Sequence, residues 1–322
     1  MILGRGRAPG KVILFGEHAV VYGRPALAVP VTQVQAEAVV EAGEPGAGLT
    51  IIAADLGETI AVRGAPADHP LATAARLTLV KFGLSDPDWR VTVRSTIPIA
   101  SGMGSGAAVS AAIVRALAAA RGQGSGVRGQ EVAISPEEVS ALVYEVERLH
   151  HGTPSGIDNT VVVYGQPVYF VRGQPPQTFR IGRPFTLAIA DTGIRSPTRI
   201  AVGDVRRSWE QEPARFDGLF DQVAAIVEDA RVAVSDGQPD RLGLLMDRNH
   251  ALLREIGVSC PELDALVAAA RAAGAAGAKL SGAGRGGNMI ALVTANTEAQ
   301  VVDALRAAGA VRVIVTEVAD GI

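Results

Sequence analysis

The sequence predicts a two-domain protein of the α+β class. Its 322 residues exceed the size that one hydrophobic core usually serves, and 48% of them are hydrophobic, which is enough to fill two cores. In the second half of the chain, short strand-like segments are separated by long segments with helical periodicity, which predicts an α+β sandwich with helices on one face. The composition shifts over residues 173–183, which are rich in Gly, Pro and Arg. We therefore place the predicted domains at residues 1–178 and 179–322.

Charge and cysteine content exclude several classes of function. The formal net charge is −3 and the charges are evenly scattered, so we expect no nucleic-acid partner. The single cysteine, Cys260, excludes a disulfide framework and a cysteine-based metal cluster. The apolar run Val12–Phe15 is too short for a signal peptide, and no 18-residue apolar run occurs. We expect a soluble cytoplasmic protein with no membrane partner.

The amino-terminal half begins with strands joined by glycine turns. The predicted strands are residues 8–30 (two strands and a tight turn), 34–40, 49–52, 59–62 and 91–97, and the first predicted helix is 71–82. A second helix begins with Ser135 as the cap, Pro at the first position and Glu138 at the third, and it continues to about His150. Glu145 and Glu147 lie on opposite flanks of its apolar stripe. Helical spacing alone leaves open which of them faces a site.

Residues 96–115 form the segment around which the other motifs are organised. A strand leads through Gly102, Gly104 and Gly106 into an Ala-rich helix, and such a junction presents unpaired backbone N–H groups and the positive end of a helix dipole to an anion. The chain has no Walker motif. Gly102, Gly104 and Ala107 fit the dinucleotide fingerprint, but no second strand ending in an acidic residue follows. Two interpretations of this segment remain open: a phosphate-binding site, or a loop that only connects the strand to the helix.

Residues 150–163, HHGTPSGIDNTVVV, contain a candidate catalytic carboxylate. Gly152, Pro154 and Gly156 predict an irregular loop, and Asp158 lies where that loop becomes an apolar strand or helix. A carboxylate held at the end of a rigid loop is a candidate general base. The alternative is an Asp that caps the following segment, and the residues alone do not separate the two.

The carboxyl-terminal half contains a second glycine-rich segment, KLSGAGRGG at residues 279–287. The segment after it is strand-like, so we predict a glycine turn between two strands, whether as a plain hairpin or as part of a site. The other predicted elements are strands at 185–191 and 311–318 and helices at 214–234, 239–256, 261–273 and 297–308. Lysine is rare, since the 30 basic residues include only Lys11, Lys81 and Lys279, and two of these adjoin glycine-rich stretches.

Three segments together resemble the GHMP kinases, small-molecule kinases that bind ATP without a Walker loop. PGKVILFGEH, PIASGMGSGAA and KLSGAGRGG occur in the order of that family. The resemblance implies an amino-terminal domain like domain 2 of ribosomal protein S5 and a ferredoxin-like carboxyl-terminal domain. Within the family, KVILFGEHAVVYGRPALA and HGTPSGIDN are similar to the branch that phosphorylates the 5-hydroxyl of mevalonate. The implied cofactors and partners are ATP, Mg²⁺, mevalonate and a second copy of the chain.

The resemblance also implies a role for individual residues. The implied catalytic residues are Asp158, as the base, and its partner Lys11, and the implied magnesium ligand is Glu147. Because Gly106 lacks the hydroxyl that usually assists, either Ser105 or water must supply a further magnesium ligand. The implied ATP-binding residues are Pro98, Ala100, Ser101, Gly102, Met103, Gly104, Ser105, Gly106 and Ala107. The implied substrate-side residues are Glu17, His18, Thr198, Ser281, Gly282 and Ala283. To these we add Arg195, which is near Thr198 in the sequence and is a candidate partner for a substrate carboxylate. His250 and Cys260 are assigned to packing.

The chain departs from the family pattern at three positions. Gly106 stands where a second Ser is common, Arg285 where Gly is usual, and Asn288 where Cys is common. The alternatives to a mevalonate-phosphorylating enzyme are a phosphomevalonate kinase or another GHMP kinase, and an ATP-dependent decarboxylase of similar fold. A non-catalytic homologue is disfavoured because both Lys11 and Asp158 are present.

Overall fold

The computed structural model describes residues 1–98, 101–124, 134–151, 154, 156–195 and 198–320. Its backbone contacts divide the chain into two compact units, both of which are discontinuous in sequence. The amino-terminal unit comprises 1–10, 34–99 and 104–165, and the carboxyl-terminal unit comprises 11–33, 100–103 and 166–322. The long strands β1 (Ile2–Phe15) and β2 (Ala26–Ala42) contribute residues to both units. The continuous domains 1–178 and 179–322 stay a prediction.

The described part of the amino-terminal unit combines a sheet with four α-helices. The strands β3 (Thr50–Ala53), β4 (Glu58–Ala61) and β5 (Trp89–Ser95) join β2 in the order β4-β3-β5-β2. The hairpin predicted at 49–62 is confirmed, because β3 pairs antiparallel with β4 from Thr50 opposite Ala61. The helices are α1 (Pro70–Lys81), α2 (Ser105–Gly124), α3 (Pro136–His151) and α4 (Ile157–Tyr164).

The helix α2 is the core of this unit, and β1 lies directly against its backbone. Side chains along α2 such as Ala112, Ile113 and Leu117 are fully buried. At Gly6 a Cβ atom would lie 2.1 Å from the carbonyl oxygen of Ala112, so only glycine permits this approach. The predicted start of α3 is confirmed, since Ser135 and Glu138 form a reciprocal capping box with two 3.2 Å bonds.

The carboxyl-terminal unit contains an antiparallel four-stranded sheet in the order β11-β8-β10-β9. Its strands are β8 (Phe185–Asp191), β9 (Gly277–Ser281), β10 (Asn288–Val293) and β11 (Arg312–Val318). In the other sheet, the short strand β6 (Val168–Phe170) pairs with β2, and β7 (Gln177–Thr178) pairs with β6. The first and third strands of the four-stranded sheet, β8 and β10, lie in its middle. Helices lie between β8 and β9 and between β10 and β11 in the chain. This is the predicted ferredoxin-like arrangement.

Five α-helices complete the part of this unit that the structure describes. They are α5 (Thr198–Gln211), α6 (Pro213–Ser235), α7 (Pro239–Ile256), α8 (Pro261–Ala272) and α9 (Glu298–Ala307). Proline occupies the first helical position of α6, α7 and α8, where its missing N–H is not needed. The helix α5 was not among the predicted elements. Across the described part of the chain, every helix is too short or too polar to cross a bilayer.

Candidate active site

The first motif, PGKVILFGEH at residues 9–18, contains the end of β1 and a sharp turn that follows it. Residues 11–18 of this motif belong to the carboxyl-terminal unit. Lys11 is 3% exposed, and its backbone N–H donates to the carbonyl oxygen of Met103 at 3.0 Å. After Phe15 the chain turns at Gly16, whose φ is 100° and where a Cβ would lie 2.5 Å from the Cα of Ala26. Only glycine fits this turn, which directs the next two side chains, Glu17 and His18, into the interior.

Glu17 forms a fully buried ion pair with Lys279 of β9. Both side chains are 0% exposed, the Lys279 ammonium also donates to the carbonyl oxygen of Leu280 at 2.6 Å, and Asn249 of α7 donates to Glu17 at 3.3 Å. Burial lowers the pKa of Lys279, and the adjacent Glu17 carboxylate opposes this shift. Glu17 thus joins the first motif to the third. Its substrate-side role stays a prediction.

His18 is buried beside the third motif in an uncommon backbone conformation. Its φ is 61°, and its Nε2 lies 2.9 Å from the carbonyl oxygen of Ala283. Because a carbonyl only accepts, Nε2 carries the proton and Nδ1 holds a lone pair. Nδ1 is buried and has no hydrogen-bond partner among the described residues. Burial lowers the pKa of His18 to about 4, so at neutral pH the ring is an uncharged acceptor.

The third motif is the predicted glycine turn between two strands, here β9 and β10. The hydroxyl of Ser281 donates to the carbonyl oxygen of Ile13 at 2.7 Å, so this predicted substrate-side residue is bonded to β1. Gly282 has φ 96° and Ala283 supplies the carbonyl that accepts from His18. The side chain of Asn288 donates to the carbonyl oxygen of Ser101 at 2.5 Å. The carboxyl-terminal unit therefore brings residues of all three motifs together.

The central glycine loop leads into α2 as predicted. Gly102 and Gly104 have φ of 76° and 72°, and a Cβ at Gly102 would meet no atom within 4 Å. Within the amino-terminal unit, Ser105 is the first residue of α2, so the N–H groups of Ser105, Gly106 and Ala107 have no intrahelical acceptor. Ala100 lies outside the described residues.

The acidic residue beside this helix start is Glu147 of α3. A Cβ atom added at Gly106 would lie 3.3 Å from Glu147 Oε1, and Glu147 is 8% exposed. Glu145, in contrast, pairs with Arg148 at 2.7 Å, and its side chain is 45% exposed. Of the two glutamates, Glu147 is therefore the one that lies beside the start of α2, and its role as a magnesium ligand stays a prediction. A carboxylate beside a serine hydroxyl at a helix start is a donor set that suits Mg²⁺ when phosphates supply further oxygens.

Asp158 lies in the first turn of α4 in the amino-terminal unit. The N-cap position of α4 is occupied by Gly156, so Asp158 is not the cap that the sequence left open. The side chain of Asn159 donates to Ser140 Oγ at 2.8 Å, which ties α4 to α3 and fixes the backbone that carries Asp158. Lys11 belongs to the carboxyl-terminal unit, and its pairing with Asp158 stays a prediction.

The remaining predicted residues lie at chain turns. Pro98 follows β5 and is half-buried, and Arg195 is exposed just before α5. Thr198 is the exposed first residue of α5. Arg195 and Thr198 are therefore accessible, as a substrate-side role requires.

Sequence reasoning missed three residues that hold the motifs in place: Lys279, Asn249 and Asn288. The rarity of lysine was the signal that pointed to Lys279, whose ammonium pairs with Glu17. Asn288 was noted only as a departure from the family pattern. Asn249 carried no signal in the sequence, because its partner Glu17 is 232 residues away.

Comparison with known proteins defines the class of this protein. The family model described as GHMP kinases N terminal domain matches residues 51–166, and the model described as GHMP kinases C terminal matches residues 224–311. The chain belongs to the GHMP kinases.

Its similar relatives are named mevalonate kinase. The protein of Pyrococcus furiosus is 35% identical over 94% of this chain and 92% of its own length, and that of Aeropyrum pernix is 33% identical over 89% and 88%. Among solved structures, this chain is similar to the crystal structure of the L. major mevalonate kinase in complex with R-mevalonate. The match covers 98% of this chain and 96% of that chain, with 30% sequence identity and a TM-score of 0.84. A phosphomevalonate kinase of Streptococcus pneumoniae has a TM-score of 0.79 at 16% identity, which shows a shared fold.

Proposed function

We propose that this chain transfers the γ-phosphoryl group of ATP to the 5-hydroxyl of mevalonate. The observation that carries the proposal is the meeting of the three motifs at Ser101–Met103, through the bonds from Lys11 and Asn288. The similarity to the L. major enzyme with bound R-mevalonate, over 98% of this chain, supports the choice of acceptor.

The phosphates of ATP bind at the start of α2. Phosphoryl transfer needs positioning and neutralisation of charge more than covalent chemistry. The N–H groups of Ser105, Gly106 and Ala107 point out of the helix, and the helix dipole adds positive potential there. Glu147 and Ser105 would hold Mg²⁺, which would supply positive charge to neutralise the phosphates.

The acceptor hydroxyl is activated by Asp158. This carboxylate takes up the hydroxyl proton as the oxygen attacks phosphorus, and the ammonium of Lys11 stabilises the developing negative charge. Arg195 pairs with the carboxylate of mevalonate, and Thr198 donates to the same molecule.

His18 contributes a hydrogen-bond acceptor to the acceptor pocket. Its Nε2 proton is committed to Ala283, so the buried lone pair on Nδ1 is free to accept from a substrate hydroxyl. Leaving such an atom unpaired is costly, and a hydroxylated substrate removes that cost. An acceptor without a hydroxyl in this place is disfavoured for the same reason.

The same resemblance supports three further properties: a requirement for Mg²⁺, a homodimer and a cytoplasmic location. Titration with Mg²⁺ and EDTA tests the first, the mass measured by light scattering during gel filtration tests the second, and cell fractionation tests the third.

The substrate is tested by ADP release across mevalonate, phosphomevalonate, diphosphomevalonate, homoserine and galactose. We expect mevalonate to give the highest kcat/KM. A preference for phosphomevalonate would replace the proposal with the related kinase, and CO₂ release from diphosphomevalonate would replace it with the decarboxylase.

The base is tested by Asp158→Asn, which keeps the size of the side chain and removes its charge. We expect kcat to fall by about 10²- to 10⁴-fold while the ATP dissociation constant stays within a few-fold. Lys11→Met should also lower kcat, and the double variant should be little worse than the worse single one, because the two groups act together. Turnover near that of the wild type in Asp158→Asn would remove this assignment, and melting temperatures of all four proteins separate it from a folding defect.

A further inference from the structure

The third motif contains a residue whose backbone conformation suits glycine although it carries a long side chain. Arg285 has φ 57°, and the glycines beside it, Gly284, Gly286 and Gly287, have φ of 76°, 130° and 72°. The left-handed conformation costs a residue with a Cβ roughly 1–2 kcal/mol. Such a cost persists where the surrounding structure compensates for it, so the contacts of this side chain indicate its role.

The guanidinium of Arg285 forms an ion pair with Asp204 of α5. The backbone N–H of Arg285 also donates to the carbonyl oxygen of Val258 at 2.8 Å, which fixes the base of the side chain. Hydrogen bonding from Arg285 lowers the pKa of Asp204, and Arg207 of the same helix contributes a second cation. The pair therefore connects the turn between β9 and β10 to the second turn of α5.

The same turn also holds the segment that precedes α5. The backbone N–H and the hydroxyl of Thr192 donate to the carbonyl oxygen of Gly287 at 2.9 and 3.0 Å. In return, the N–H of Gly287 donates to the carbonyl oxygen of Ile194 at 2.9 Å. Arg195 and Thr198 lie between these bonds and the bond to Asp204. The turn thus holds the chain on both sides of the two residues that we assign to the acceptor.

The turn that carries Arg285 also contacts His18, the third residue that we assign to the phosphoryl acceptor. His18 Nε2 donates to the carbonyl oxygen of Ala283 at 2.9 Å, two residues before Arg285, and the charge of Arg285 adds to burial in lowering the pKa of His18. The side chains of Arg285 and Asp204 are 37% and 23% exposed, so the pair is partly shielded from solvent. A partly buried, hydrogen-bonded pair holds its geometry better than a surface pair.

We propose that Arg285 and Asp204 are positioning residues for the phosphoryl acceptor, mevalonate. Their ion pair sets the orientation of the first turn of α5, and through it the positions of Thr198 and Arg195. This inference rests on the proposed function for the identity of the acceptor, but not for the contact itself. It also accounts for an arginine in a turn where glycine would be less strained.

The first experiment compares Arg285→Gln, Asp204→Asn and the double variant with wild type. We expect the KM of the acceptor to rise at least about fivefold, with kcat and the KM of ATP within about twofold, and we expect the double variant to be no worse than the worse single one. Arg285→Gly, which also relieves the backbone strain, should raise the KM of the acceptor equally without lowering the melting temperature.

The matched control is Arg271→Gln. Arg271 of α8 pairs with Asp247 of α7 at 2.9 Å with similar exposure, 51% and 22%, and that pair does not involve α5. We expect its kinetics to match those of wild type. An unchanged KM of the acceptor in the Asp204 and Arg285 variants, or an equal rise in Arg271→Gln, would overturn the proposal.

A second measurement is independent of turnover. Hydrogen–deuterium exchange of the unliganded protein should be faster over residues 198–204 in Asp204→Asn and Arg285→Gln than in wild type and Arg271→Gln. Exchange that does not change there would refute the positioning role. If wild type phosphorylates none of the five acceptors, the proposed function fails, and the exchange result still decides whether the ion pair positions α5.

Discussion

Replacing Lys279 by Met should destabilise the protein strongly, because it strands the Glu17 carboxylate in the interior. Both side chains of the pair are fully buried, and after the substitution the carboxylate retains the bond from Asn249 at 3.3 Å. Removing one partner of a buried ion pair costs about 3–5 kcal/mol. At roughly 2–4 °C per kcal/mol, the melting temperature should fall by about 6–20 °C.

The sequence offers a matched control, since Lys81→Met is the same substitution in an exposed pair. Lys81 lies 2.7 Å from Glu138, and the two side chains are 42% and 41% exposed. Such surface pairs contribute about 0–1 kcal/mol, so this variant should lose at most about 4 °C. Melting is followed by far-UV circular dichroism at neutral pH.

A double variant separates the stranded charge from the loss of packing. Glu17→Gln combined with Lys279→Met removes both charges and should recover more than half of the lost melting temperature. Recovery stays incomplete because the carbonyl oxygen of Leu280 loses the donor that it has at 2.6 Å. If Lys279→Met melts within the range of Lys81→Met, or if the double variant melts lower still, the pair does not act as a buried charge pair.

Two predictions concern ions and protons. Gly106→Ser places a Cβ 3.3 Å from Glu147 Oε1, so the glutamate must shift by a few tenths of an ångström. The added hydroxyl should lower the Mg²⁺ concentration that gives the half-maximal rate. An equal or higher Mg²⁺ requirement would contradict this prediction. Burial lowers the pKa of His18 and of His250 from 6.5 to about 4. Since the unfolded chain binds these two protons at higher pH than the folded one, the free energy of unfolding should fall between pH 6.5 and 4 by at most about 3 kcal/mol per histidine. Replacing either histidine by Gln should flatten the denaturant-measured pH profile, and a flat profile in wild type would contradict the argument.

The sequence predicted the elements whose signals are local. The capping box of Ser135 and Glu138 and the turn between β9 and β10 depend on residues a few positions apart. The glycine loop that leads from β5 into α2 is a local pattern as well. These features were predicted correctly because neighbouring residues determine them.

The helix α5 was missed because little of it faces the core. In Thr198–Gln211 only Ala201 and Val205 are buried and polar side chains dominate, so the segment lacks the apolar content that revealed the other helices. Its contacts are with residues far away in the chain, such as the ion pair between Asp204 and Arg285, which are 81 residues apart, and the ring contact between Trp209 and Tyr22. Contacts of that separation have no signature in a single sequence.

The site shows a similar division between local pattern and long-range contact. The pattern identified segments that the carboxyl-terminal unit brings together, but the contacts of several polar side chains within them could not be predicted. Glu17 pairs with Lys279, Ser281 donates to β1 and Asn288 donates to the central loop. These motif residues therefore hold the motifs to one another, and their substrate-side roles stay predictions.

This division explains how a loop rich in glycine can bind a charged ligand with a defined geometry. Glycine gives the backbone access to phosphate but no rigidity of its own. The stiffness is supplied from outside the loop, by the bond from Lys11 to Met103 and by that from Asn288 to Ser101. The ion pair of Glu17 and Lys279 holds the strands that bear these two donors, β1 and the β9–β10 hairpin, against each other. Weakening that pair should therefore impair ATP binding before the chain unfolds, and a higher KM of ATP for Lys279→Met, measured well below its melting temperature, would follow from the same geometry.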